Sequence, residues 1–555
     1  MRKSKRKLRA GFSENGVRKM KGVRVMFSKK KRLRFMVVAV VAILSVCTVL
    51  ISFQNCANMR ERAQNRNTGQ NLVGRLKDKT VAGSKNLYEK ESYDLESPFG
   101  FHSAFYRPFV ETNEVINFHD IWSEKNREGA YTNAIDIGVR WERVGVREPE
   151  KNEPYDWTIS DAQYAFVPEG INILTNIWVR HTEFLKPGTW QFQNEQFEIA
   201  YTKYLKALVE RYDGDGENDM PGLENPIHYW QIENEAIANN LKSGPFHINN
   251  PDDPELNLDW EGFSKLAKIS YDAIKSVDPN AKVMIGGTVG GELLYLENPS
   301  IFFAQLNDFY LPLLKKLSGK SIDIFDIHYY GFATTTKKNN WFGSREVFRY
   351  YREILDENGY KNVPIWFTEA GSPSLPNSEV LQASDIIKRY IFPLSYGVKK
   401  IFWAWALLEG YPPLTGEDYF DHTGLIYDGI GKGDPGYGVK KLSYYSYKLM
   451  TQKLSGANWH TLKIVQEKDG IYVYKVRDKK NKYIWVIWNE NNEERLVSIS
   501  GIKSNQAITT EAVANYEFGR DVVDYATAFR QQTKKTNKGA ISFYVKDKPI
   551  FVEEE

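Results

Sequence analysis

Two carboxylates at the tips of apolar runs are the residues best placed to do chemistry in this 555-residue chain. The stretch YWQIENEAIANN, residues 229–240, opens with Tyr229, Trp230 and Ile232, aromatic and β-branched types that suit a packed strand. It then ends in Glu233, Asn234 and Glu235, where an apolar strand should turn away into solvent. A second run, PIWFTEA (364–370), closes on Glu369. Two facing carboxyl groups can cleave an acetal by double displacement. One protonates the leaving oxygen and the other attacks the anomeric carbon, at a separation of ~5–5.5 Å that leaves no room for a water between them. The acid must hold its proton near neutrality, which a neighbouring carboxylate favours. Glu235 and Glu369 can supply such a pair. Asn234 would stand beside the acid and hydrogen-bond a sugar hydroxyl, and Arg140 would keep Glu369 ionised.

Such a pair needs a scaffold that brings distant strand tips together. From Ser97 onward, strand-like runs alternate with amphipathic helix-like runs, the mark of a parallel α/β sheet. Eight strands are expected at 99–101, 134–141, 171–178, 227–234, 282–287, 324–330, 364–370 and 400–407. Between them, 197–212 and 263–277 carry apolar residues at helical spacing, the second stopped by Asp278-Pro279. Eight β/α units over about 350 residues predict a closed (β/α)₈ barrel with its active site at the C-terminal ends of the strands. Glu235 and Glu369 fall at such ends. So do His328, Tyr329 and Tyr330 on the sixth strand and Arg140, Trp141 and Glu142 on the second, while the eighth carries Trp403 and Trp405. Trp178 and His181, after the third strand, are further subsite candidates. Residues 97–455 are read as the barrel. After 444–456 the pattern becomes all-β, with GIYVYKV, KYIWVIW and GAISFYVKDKPIFVEE as strands, so 456–555 is expected to form a β-sandwich domain.

An Asn-Glu closing strand four, a Glu closing strand seven, a His-x-Tyr on strand six and a Trp on strand eight together resemble clan A of the glycoside hydrolases, over residues 97–455. The closest likeness is to its cellulase-like and β-xylosidase-like families. The resemblance implies a retaining (β/α)₈ enzyme on a β-linked glycan that needs no cofactor. It makes Glu235 the general acid/base and Glu369 the nucleophile, puts Tyr330 near the nucleophile and makes Trp403 the floor of a sugar subsite. His328 joins Arg140 and Asn234 among the substrate-binding candidates. The sequence departs from the clan's pattern in having Glu233 where a small residue is usual and Ala236 where proline is frequent. A surface protein that binds glycans without cleaving them, and a transglycosylase using the same residues, are the other readings.

The net charge of +4 averages two unlike regions. Residues 1–34 hold 15 Lys/Arg against the single acid Glu14, so the rest of the chain is mildly acidic, unlike a nucleic-acid binder. The uncharged run 35–53 has the length of a membrane span, and the positive-inside rule would leave everything beyond Gln54 outside the cytoplasm. An uncleaved anchor, a signal-peptide core and lipid attachment at Cys56 are the alternatives for this segment. Residues 54–96 read as a polar linker. Both cysteines, Cys47 and Cys56, lie in or beside the apolar run, so the folded body holds no disulfide, cysteine zinc site or thiol nucleophile. In DGDGENDMPGLE (213–224), Asp213, Asp215, Glu217, Asp219 and Glu224 have the spacing of a calcium loop, although position six is Asn218 rather than glycine. Structural calcium there and a solvated acidic turn are both open. No catalytic metal is expected, since two carboxyl groups suffice for the chemistry.

Overall fold

The computed structural model describes residues 95–104, 132–165, 167–180, 182–237, 258–289, 295, 299–330, 341–374, 378–409, 419–430 and 433–555. The basic arm, the apolar run 35–53 and the linker up to residue 94 lie outside them. Among the described residues no helix is long and apolar enough to cross a membrane.

Eight parallel strands form one sheet: β1 (Phe99–His102), β2 (Trp141–Arg147), β3 (Asn172–Ile177), β4 (Tyr229–Ile232), β5 (Lys282–Ile285), β6 (Phe325–Tyr330), β7 (Ile365–Gly371) and β8 (Lys400–Trp403). Their order is β5-β4-β3-β2-β1-β8-β7-β6. Parallel bridges from Met284 to Ile324 and from Thr288 to Ile327 join the two edge strands and close the barrel. Helices coat the outside. Asn194 caps Glu195–Tyr212 by accepting from the amides of Gln196 and Phe197, and Asp259 caps Trp260–Val277 through Gly262 N.

Strand alternation sorts each strand into an outer and an inner set. Outward residues such as Trp230, Ile232, Ile401 and Trp403 pack under the helices in the main core. Inward, at the N-terminal end, Trp141, Leu174, Met284, Ile324, Trp366 and Phe402 make a separate cluster with Tyr229 against it. The Trp141 ring meets Tyr229 edge-on at 4.8 Å and Trp366 at 5.0 Å. Burial of one such side chain contributes up to about 3 kcal/mol before entropy is counted. This aromatic plug seals the barrel from below, so anything polar above it faces only the C-terminal mouth.

The second expected strand is displaced. Residues 132–136 are helical, Gly138 turns the chain at φ 81°, and the strand starts at Trp141, where the sequence reading had ended it. Arg143, Gln231, Asp326 and Thr368 are buried inside the barrel, above the plug.

Beyond the helix Leu442–Leu454 comes a six-stranded antiparallel sheet, β14-β13-β16-β11-β10-β9, and a two-stranded sheet, β12-β15. These strands are β9 (Asn458–Lys468), β10 (Ile471–Arg477), β11 (Tyr483–Asn489), β12 (Arg495–Ser500), β13 (Gln506–Glu511), β14 (Gln531–Lys535), β15 (Ala540–Val545) and β16 (Ile550–Glu554). GAISFYVKDKPIFVEE is thus two strands in different sheets rather than one. Val473, Trp485, Ile487, Val497, Ile499, Ile541 and Phe543 share a core between the sheets. The opposite face of the larger sheet, with Tyr474, Val486 and Trp488, joins the barrel's own core. Ion pairs from Lys388 to Glu490 (2.8 Å) and from Arg345 to Glu467 (2.7 Å) flank that seam.

Candidate active site

The site rises from the plug as a column of buried hydrogen bonds. Arg143 lies one inward step above Trp141 on β2, with its side chain 1% exposed. Its Nε donates to Gln231 Oε1 (2.8 Å), Nη1 to Glu369 Oε1 (2.6 Å) and Nη2 to Asn234 Oδ1 (2.7 Å). Gln231 in turn donates to Asp326 Oδ2 (2.8 Å), which also accepts from Thr368 Oγ1 (2.6 Å), while Asp326 Oδ1 takes the Thr368 amide (2.9 Å). A buried charge is tolerated only with such partners. Here one guanidinium ties together the exits of β2, β4 and β7.

The two glutamates meet above this column. Glu369 lies on β7, and its Oε2 accepts from the Tyr330 hydroxyl (2.7 Å). His328, on β6, sets Nδ1 2.8 Å from Glu235 Oε1 and 3.3 Å from Glu369 Oε2. One carboxylate oxygen of Glu235, one of Glu369 and a His328 ring nitrogen all lie within 4.8 Å of one another. Gly287 permits this packing, since a side chain there would run into His328 and Asp326.

Burial alone would raise the Glu369 carboxyl, yet the charges of His328 and Arg143 and the Tyr330 hydrogen bond hold it down to about 2. Burial would likewise lower His328, but Glu369, Asp326 and Glu235 lift it to about 10, so the ring is an imidazolium at neutral pH. His102, at the end of β1, is pushed down to about 3, first by burial and then by Arg143, and stays neutral. Glu235, His328 and Glu369 have the donor types of a metal site.

Not every expected residue reaches the mouth. Arg140 precedes β2, at the barrel's opposite end, where it lines a cavity with Phe99, Thr451 and Trp459. The role of keeping Glu369 ionised belongs to Arg143, because the strand begins one residue after Arg140 instead of ending there. Trp403 is the last residue of β8 and points outward, fully buried, with Nε1 donating to Thr423 O (2.8 Å). It floors no subsite. The chain leaves the sheet after it, so alternation no longer places Trp405. That residue turns inward, half-buried, with its ring 4.3 Å from His102 edge-on and its amide on Thr423 Oγ1 (2.8 Å). Tyr419 and Phe420 close the other side, each edge-on to Tyr330, and the Tyr419 hydroxyl donates to Gly371 O. Asn234 stands beside Glu235 with its side-chain oxygen on Arg143, and His181 lies outside the described residues.

Sequence reasoning missed Arg143, His102 and Arg180. Arg143 was readable as an inward residue once Trp141 is taken as the strand's start, and His102 lies one residue past the expected end of β1. In the acidic loop, Asp213, Asp215 and Asp219 come together without Glu217 or Glu224. Asp219 accepts from the amides of Gly214 and Gly216, Asp213 from Asp215 N, and Asp215 from Glu217 N, so the cluster is a set of turn-closing carboxylates.

No protein-family model and no curated protein matches the chain by sequence. Solved structures match it by fold. A family 39 β-xylosidase from Caulobacter crescentus is 17% identical, with 84% of this chain and 98% of that one covered, at a TM-score of 0.50. A family 51 α-L-arabinofuranosidase from Bifidobacterium longum is 13% identical over 83% and 96%, also at 0.50. A family 39 glycoside hydrolase from the gut symbiont Bacteroides cellulosilyticus is 15% identical over 78% and 79%, at 0.50. At these identities the likeness shows a shared fold, the barrel with appended β-sheets.

Proposed function

We propose that this chain is a retaining glycoside hydrolase acting on a β-linked glycan, with Glu369 as nucleophile and Glu235 as general acid/base. One observation carries the reading: carboxylate oxygens of Glu235 and Glu369 approach within 4.8 Å across the barrel mouth. This approach supports a retaining mechanism, since an inverting enzyme keeps its carboxyl groups ~6.5–9.5 Å apart to admit a water. The shared fold supports it, because the matched solved structures are glycosidases whose sugars include xylose and arabinose.

In the first step a Glu369 oxygen bonds to the anomeric carbon as the C–O bond to the leaving group breaks. Glu235 gives its proton to that departing oxygen. Glu235 Oε1 takes the His328 bond, so the transferred proton belongs on Oε2. Water then attacks the glycosyl ester, Glu235 removes its proton, and Glu369 is released as carboxylate. Arg143 and Tyr330 stabilise that carboxylate as leaving group in this second step and hold its orientation in the first. Trp405 offers an aromatic face beside the nucleophile for the C–H face of a pyranose. We further propose that the apolar run 35–53 tethers the catalytic body to a membrane with its mouth outside the cytoplasm, supported by the run's length and the basic arm before it.

The test is turnover of aryl β-glycosides, β-xylosides included, and α-L-arabinofuranosides by the full-length chain in detergent, with the product anomer read by NMR. The expected result is release of the first-formed sugar with retained configuration, abolished in Glu369→Gln. Inversion, or full activity in both Glu369→Gln and Glu235→Gln, refutes the assignment.

A further inference from the structure

We propose that Arg180 and Glu233 are a positioning pair for Glu235, a buried ionic clamp between the exits of β3 and β4 that sets where the acid/base delivers its proton. This rests on the reading of Glu235 as acid/base and concerns what holds it there.

The backbone leaving β4 takes an unusual path. Glu233 has φ 66° and Glu235 φ 34°, both in the left-handed region that glycine favours, and neither is glycine. At Glu233, glycine would be the ordinary solution. The carboxylate there supplies what glycine cannot. Its Oε1 accepts from the amides of Val179 and Arg180, the latter at 2.7 Å, and its Oε2 pairs with Arg180 Nε at 2.6 Å. Arg180 Nη2 then donates to the carbonyl of Asn234, the peptide that leads into Glu235. Both side chains are enclosed, Glu233 at 0% exposure and Arg180 at 3%, with the guanidinium 4.7 Å above the Trp178 ring. The turn is fixed from the other side as well. Glu233 N donates to Ile177 O (2.8 Å), and Gly286 lies so close that a Cβ there would sit 2.9 Å from the Glu233 carbonyl.

So the last peptide before Glu235 is gripped by a charged donor whose own place is set by Glu233. Neither side chain touches the other carboxylate, Glu369, which is held by Arg143, Tyr330, His328 and His102. The clamp therefore acts on proton delivery and spares nucleophilic attack. A misplacement of about 1 Å can cost on the order of 100-fold in a step that depends on alignment.

Arg180→Lys retains a cation for Glu233 but has no second nitrogen to reach Asn234 O; Glu233→Gln retains an acceptor for the two amides but loses the negative charge that pairs with Arg180. Each full-length variant is assayed on two aryl glycosides of a sugar the wild type cleaves, one with a 2,4-dinitrophenyl leaving group that needs little protonation and one with phenyl, which needs it fully. The expected result is a loss of roughly 10–100-fold in kcat/KM on the phenyl substrate and less than about 3-fold on the other. The ratio of the two losses does not depend on how much of the variant is folded, because the same molecules turn over both substrates. Equal losses on both substrates, or none on either, overturn the clamp while leaving Glu235 in its role, provided Glu235→Gln shows the leaving-group dependence. If Glu235→Gln shows none, the acid/base assignment falls and the clamp with it.

Discussion

Replacing Arg143 by lysine should move the acid limb of the pH–rate profile, because Arg143 is one of the groups that hold Glu369 ionised. Glu369 lies at about 2 against an ordinary 4.5, in spite of burial that pushes the other way. At 1.36 kcal/mol per pH unit, its surroundings favour the carboxylate by roughly 3 kcal/mol net. A full charge some 4 Å away is worth about 4 kcal/mol at an effective dielectric of 20. A lysine ammonium on a shorter stem cannot serve Gln231, Asn234 and Glu369 together, and if half of that attraction goes, Glu369 rises by roughly 1.5 pH units. The ionised nucleophile is the active form, so the variant loses kcat/KM below about pH 4 while the wild type stays flat there. The neutral side changes only through the misplaced Asn234. The measurement is kcat/KM on an activated aryl glycoside from pH 3 to 9, with Arg140→Lys alongside. Arg140 lies at the far end of the barrel and its variant should follow the wild type. An acid limb that moves in Arg140→Lys and not in Arg143→Lys would falsify the placement of the second strand.

Tyr330→Phe removes a 2.7 Å hydrogen bond to Glu369, and a bond to a charged group is worth about 1.5–3 kcal/mol, so kcat should fall by roughly 10–100-fold with the melting temperature little changed. Trp405→Ala should raise KM several-fold at unchanged stability. Trp403→Ala should instead cost about 3–5 kcal/mol in urea unfolding, since it empties outer core; the reverse pattern would restore Trp403 as the platform. His328 is raised to about 10 in the fold, so its contribution to stability is whole below about 6.5 and is lost as pH climbs through 10. Urea midpoints of the wild type should therefore drop between pH 7 and 10, and His328→Gln should flatten that slope; parallel slopes would rule out a proton held between the two glutamates.

What could be read in advance was the part written in strand rhythm. Tyr229–Ile232 runs straight into Glu233 and Glu235, and Ile365–Gly371 carries Glu369 near its end, and a barrel lines such ends up at one mouth. The errors arose where rhythm and structure part. AIDIGV looks like a strand because Ile135, Ile137 and Val139 recur at a period of two, yet five residues from 132 are helical and Gly138 breaks the run, which moved the site arginine by three positions. Trp403 and Trp405 share a parity, but parity has meaning only while the strand lasts, and β8 stops at Trp403. Glu233 looked like a departure from a pattern. Its reason lies in Arg180, more than fifty residues away, and no local signal joins the two.

The barrel mouth also separates working carboxylates from structural ones by environment. Glu233 and Asp326 have side chains at 0% exposure, and each is committed to protein donors: Arg180 and two amides for the first, Gln231 and Thr368 for the second. An acid so enclosed can neither meet a substrate nor exchange a proton with one. Glu369 is 6% exposed and Glu235 15%, so these two retain some contact with the open mouth. The gradient follows from the construction, because the plug seals one end and each layer above it is closer to water. Removing a donor from an enclosed carboxylate leaves a buried charge unpaired and should cost about 3–5 kcal/mol of stability. Removing a donor from Glu369 or Glu235 should show first in the rate. Substitutions around Asp326 should therefore show as lost stability and those around Glu369 and Glu235 as lost turnover, while Glu233 bears on both, because the peptide held by its Arg180 partner leads into Glu235.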